Sequence, residues 1–116
     1  KEWLDYVKTE QPDLIIGSSM GGYFALALAS HTGIPVLAFN PAIHSRMFEV
    51  DGLQSGKERT KGLVVLGAND NIIDPGKTLS ILKGDWNDLE IHVEKEMSHR
   101  VPLSIFIDMY NKNANV

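Results

Sequence analysis

The segment Gly17-Ser18-Ser19-Met20-Gly21-Gly22 fits the pattern Gly-x-Ser-x-Gly, with Ser19 in the central position. Further along stand Gly67-Ala68-Asn69-Asp70 and Glu96-Met97-Ser98-His99. A serine hydroxyl becomes a useful nucleophile when a base takes its proton and an acid orients that base. Serine, then an acid, then histidine, with both partners on loops that leave later strands, is one chain order in which such triads occur. Ser19, Asp70 and His99 follow that order.

The chemistry depends on a sharp strand-to-helix turn at Ser19. Glycines two residues before and after the serine suit such a turn, because its ends approach closely and a Cβ at either position is expected to collide with a neighbouring element. The turn lifts the hydroxyl above the sheet, and the following helix aims its first N–H groups at the same spot. The backbone N–H of Met20 is then the expected oxyanion donor. In this register Ser18 is the variable residue and not the nucleophile. The plainer alternative is a glycine-rich turn whose serine caps the helix. Gly-x-Gly-x-x-Gly does not align, because Ser19 occupies the second glycine position. A P-loop is excluded because no Gly-Lys-Ser/Thr follows.

His31, His44, His92 and His99 compete for the role of base. His31 falls at the end of a helical segment, His44 in a loop, and His92 inside an alternating strand, where the pleat sets its direction. His99 stands in a loop just after a strand and is favoured. For the acid, Asp70 competes with Asp74. Asp70 has an alternative role in an Asx-turn of Asn69-Asp70-Asn71. Asp74 directly precedes Pro75 and has the look of a helix N-cap, so Asp70 is favoured and Asp74 kept as the alternative acid.

The elements that must position these residues alternate along the chain. Helical patterning over residues 1–9, with Trp3, Leu4 and Val7 on one face, ends at Pro12. Leu14 to Ile16 has the look of a strand buried on both faces. Gly21 to Ser30 is apolar all round, which requires a buried helix. Pro35 to Phe39 and Gly62 to Leu66 are further apolar strands. The stretch from Ala42 to Lys61 reads as a helical turn followed by an exposed loop. Pro75 and Gly84 bracket a helix, and Leu89 to Val93 alternates as a fourth strand. Pro102 opens a last helix, with Leu103, Phe106, Ile107 and Tyr110 on one face. Strands separated by helices imply parallel pairing. The fold class is α/β, a parallel sheet of about four strands with flanking helices.

Composition narrows the function classes. Eleven Lys and Arg against fifteen Asp and Glu give a net charge of −4, with no basic run, which argues against nucleic acid. No apolar run approaches the roughly 18–20 residues of a membrane span. Cysteine is absent, which excludes disulfides and thiolate metal sites. Thiol content does not fix a compartment; a cytoplasmic location is the expectation.

The run from Gly17 to Phe24, then Phe39-Asn40-Pro41-Ala42, then Asn69-Asp70 through Asp74, then Ser98-His99-Arg100, resembles the YqiA-like esterases of the α/β-hydrolase superfamily. The resemblance covers most of the chain and is weakest between Ser45 and Lys61. It implies carboxyl-ester or thioester hydrolysis by Ser19, His99 and Asp70, with no metal or organic cofactor. It also implies that residues 1–116 form a single domain corresponding to the C-terminal part of such a fold. Family members carry several strands before the elbow and a loop that supplies the second oxyanion donor. The strand bearing Ser19 is therefore expected to have an open edge, available to upstream residues, a partner chain or self-association.

Two other readings remain at this point. A truncated or degenerate hydrolase domain would serve as a non-catalytic binding or assembly module. An anion-binding site at the helix start after Gly17 is a third, although it would need neither Asp70 nor His99. Tyr23, Phe24, Met47 and Phe48 are candidate acyl-pocket residues, although such residues also commonly fill cores.

Overall fold

Short apolar runs linked by helices leave strands little choice but to pair in parallel. The computed structural model, which describes residues 2–43, 60–86 and 88–114, has that arrangement. Its elements are α1 (Glu2–Glu10), β1 (Ile15–Ser18), α2 (Met20–Thr32), β2 (Val36–Phe39), β3 (Gly62–Gly67), α3 (Pro75–Asp85), β4 (Leu89–Glu94) and α4 (Leu103–Ala114). The strands lie in the order β1-β2-β3-β4, all neighbours parallel. Ile15 is paired with Val36, Val36 with Gly62, and Gly62 with Leu89. The turn and loop expected between Ala42 and Lys61 lie largely outside the described residues.

The two-residue period of a strand divides the core into two layers. Val36, Ala38, Val64 and Leu66 face one side and pack with Tyr23, Leu26 and Ala29 of α2 and with Leu82 of α3. Leu37, Phe39, Leu63 and Val65 face the other side with Met97, against which Ile105, Phe106 and Met109 of α4 pack. All four residues of β2 are buried. Each large side chain so placed contributes about 1.5–3 kcal/mol relative to exposure.

One expectation about burial is corrected. β1 is not buried on both faces: among the described residues it is an edge strand, and Ile16 remains 40% exposed. The apolar positions of α4 differ in burial. Phe106 packs on the sheet, while Leu103, Ile107 and Tyr110 are exposed. Ile105 and Met109 take the positions beside Phe106.

Because every strand runs the same way, all four end at one rim of the sheet. The loops after Ser18, Phe39, Gly67 and Glu94 therefore emerge together. In open α/β sheets this carboxyl rim is where ligands bind.

Candidate active site

Ser19 lies between β1 and α2 with φ 58° and ψ −121°, a backbone conformation that a side chain-bearing residue adopts only under strain, of order 1–3 kcal/mol. The turn is strapped in place from both sides. The Ser19 N–H donates to the Phe39 carbonyl at 2.9 Å, and the Ser19 carbonyl accepts from the Ala42 N–H at 3.0 Å. Its hydroxyl makes no capping bond to α2, so the helix-capping alternative does not describe this serine. Met20 opens the helix, where N–H groups have no acceptor within the helix itself.

Of the two motif glycines, Gly17 is tightly enclosed and Gly21 is not. A Cβ on Gly17 would run into the carbonyl of Gly21, so the close approach is real there. A Cβ on Gly21 would meet nothing within 4 Å. The second tight position is Gly22, where a Cβ would come within 3.1 Å of the Pro41 Cα. The chain needs room where α2 crosses the end of β2, one residue later than the motif suggests.

At the far side of the rim, β3 and β4 bring Asp70 and His99 together. His99 Nδ1 lies 3.0 Å from Asp70 Oδ2. The other carboxylate oxygen of Asp70 accepts from the N–H groups of Ile72 at 2.8 Å and Ile73 at 2.9 Å. The Asp70 side chain is fully buried and that of His99 about a quarter exposed. Burial alone would raise the Asp70 pKa. The bond to His99 and the two amides, which favour the ionised form, outweigh it and hold the carboxyl below its ordinary value. An imidazole held at Nδ1 by a buried carboxylate has its Nε2 left for proton transfer. No hydrogen bond joins the Ser19 hydroxyl to His99 among the described residues.

The competing residues are placed elsewhere. Asp74 caps α3 by accepting from the N–H groups of Gly76 and Lys77. His92 pairs with Glu94 on β4 at 3.1 Å, and His31 is in the last turn of α2. His44, Met47 and Phe48 lie outside the described residues. Tyr23 belongs to the core under α2 rather than to a pocket, and Phe24 is partly exposed beside it. A cavity of about 450 Å³ next to His99 is lined mainly by Ile16, Gly17, Phe39, His99, Val101 and Phe106. Among the described residues no cluster of three or more His, Asp or Glu side chains could hold a metal ion. No helix among them is long and apolar enough to cross a membrane.

One residue that carried only the resemblance, with no structural role expected of it, has a role at this rim. Asn40, just after β2, is 99% buried. Its side chain accepts from the Gly67 N–H and donates to the carbonyls of Ser98 and His99. The available signal was a polar residue directly after an unbroken apolar strand, where burial demands partners.

Comparison with known proteins agrees with this architecture. Residues 1–51 match the model of the uncharacterised protein family UPF0227. The chain is similar in structure to an alpha-beta serine hydrolase homologue from Coxiella burnetii, with a TM-score of 0.70 and 18% identity over 96% of this chain and 53% of the other. It is also similar to the esterase domain of a Rhodothermus marinus protein, with a TM-score of 0.67 and 16% identity over 94% and 62% of the two chains. A Xanthomonas campestris member of the α/β serine hydrolases without a lid gives a TM-score of 0.62 at 20% identity, over 84% and 44%. The chain thus spans about half the length of these structures. No curated protein sequence matches it.

Proposed function

We propose that this chain is of the α/β-hydrolase superfamily and YqiA-like type, and that it carries the catalytic residues of a serine esterase or thioesterase. Ser19 Oγ attacks the carbonyl carbon of an ester or thioester while His99 Nε2 takes the hydroxyl proton. The carbonyl electrons move to oxygen, and the Met20 N–H is one donor to that oxyanion. His99 returns the proton to the departing alcohol or thiol as the acyl–oxygen or acyl–sulfur bond breaks. Water, activated by the same imidazole, then releases the acid and restores Ser19. Asp70 holds the imidazole tautomer and stabilises its charged form.

The observation that carries this reading is the Asp70–His99 pair, with a buried acid bonded to Nδ1, at the same rim as a strained serine whose hydroxyl does not cap its helix. The test is hydrolysis of short p-nitrophenyl esters and acyl thioesters by the purified chain and its S19A variant. Turnover that S19A abolishes is expected. Turnover unchanged in S19A, or none with either substrate class from the folded chain, contradicts catalysis by this chain.

The exposed Ile16 on the edge strand favours a second reading, a non-catalytic assembly module that pairs another strand with β1. Its distinguishing result is concentration-dependent association by ultracentrifugation without ester turnover.

A further inference from the structure

Asn40 links parts of the rim that are far apart in sequence. Its Oδ1 accepts from the Gly67 N–H at 2.8 Å, at the end of β3. Both protons of its Nδ2 are used, one on the Ser98 carbonyl and one on the His99 carbonyl, each at 3.1 Å. Its own N–H donates to the Val65 carbonyl at 2.9 Å, and its φ of 44° is one that asparagine tolerates better than most residues. Phe39, the residue before it, supplies the carbonyl that holds the Ser19 N–H. Two consecutive residues at the end of β2 therefore hold both the elbow and the histidine loop.

The loop has a second attachment. The Asn69 N–H donates to the Met97 carbonyl at 3.0 Å, and the Asn69 side chain donates to the Lys95 carbonyl at 3.1 Å. The loop also rests directly on β3: a Cβ on Gly67 would lie 2.5 Å from the Met97 oxygen and 2.6 Å from that of Ser98. Asn69 thus fixes the start of the loop beside Asp70, and Asn40 fixes its end at His99.

We propose that Asn40 is a positioning residue for His99. By bonding the Ser98 and His99 carbonyls it sets the height and rotation of the histidine main chain, so that Nδ1 meets Asp70 while Nε2 faces the elbow. This rests on the reading of His99 as the base, and Asn40 itself touches neither substrate nor reacting atoms.

The test uses N40D, N40A and, as a stability control, L82A, which opens the core away from the rim. N40D retains an acceptor for the Gly67 N–H and loses both donors. The first readout is the His99 Nδ1 proton in spectra of ¹⁵N-histidine-labelled chain, and the second is the rate of labelling by a fluorophosphonate. The proposal expects N40D and N40A to lose the protected Nδ1 proton and to label about 10²-fold more slowly, while L82A keeps both. Retention of the signal in N40D, or equal loss in L82A, overturns it.

Should neither Asn40 variant fold, the unmodified chain decides. Asn40 side-chain protons that exchange as slowly as the His99 Nδ1 proton uphold the proposal; exchange as fast as that of exposed Asn71 overturns it. The spectra do not depend on catalysis. Failure of the hydrolase reading would appear separately, as an unlabelled wild-type chain.

Discussion

At the β3–β4 end of the rim, Asp70 and His99 are fixed by bonds from several elements: two amides after β3, the imidazole itself, and Asn40 reaching over from β2. At the β1 end, Ser19 is held by a strained turn and by straps to Phe39 and Ala42. Among the described residues its strand pairs on one side only, and Ile16 is 40% exposed. The acid–base pair is held through side-chain hydrogen bonds, whereas the nucleophile is held through its backbone. Substitutions at the two ends should therefore fail in different ways.

The largest expected effect is at the bonded end. D70N preserves an acceptor for the Ile72 and Ile73 amides but cannot hold the same imidazole tautomer, so ester turnover should fall roughly 10⁴-fold with the circular dichroism spectrum unchanged. A fall below tenfold would separate Asp70 from the chemistry. Next in size is a contrast between adjacent strands on one face. L37A, in the fully buried centre, should cost about 2–5 kcal/mol of unfolding free energy, while I16A at the neighbouring edge position should cost less than about 1.5 kcal/mol. Equal costs in urea titrations would mean that the β1 edge is covered in solution.

The elbow provides a smaller contrast. G17A drives a methyl into the Gly21 carbonyl and should cost about 1–3 kcal/mol. G21A meets open space on a helix and should be neutral or stabilising by about 0.5–1 kcal/mol. The smallest effect concerns acid. The Asp70 carboxyl is held below its ordinary value, so its stabilisation is fully present above the unfolded-state pKa of about 3.9 and is lost as pH falls through the lower folded value. The stability gap between wild type and D70N should shrink over that range; a gap that is constant with pH would contradict the assignment.

Much of this was legible in the sequence because it is local or periodic. The strand and helix segments followed from apolar runs and from punctuation at Pro12, Pro75 and Pro102. The helix-cap character of Asp74 could be read from the proline after it. Other features were not legible because they depend on neighbours in space. Leu14 to Ile16 reads as doubly buried by composition, but exposure of Ile16 follows from its place at the sheet edge. Leu103, Ile107 and Tyr110 share helical spacing with Phe106, but only packing determines which side of α4 meets the sheet. The partners of Asn40 are 27, 58 and 59 residues away, beyond the reach of any local pattern.

The central claim is that the locally strained serine is activated by the pair held across the rim. Its most direct measurement is the site and rate of fluorophosphonate labelling in the wild-type chain, S19A and H99A, mapped by peptide mass spectrometry. The account predicts a single adduct on Ser19 that is absent in S19A and strongly slowed in H99A. Labelling at Ser18 or elsewhere, or labelling of Ser19 at an undiminished rate in H99A, would contradict it.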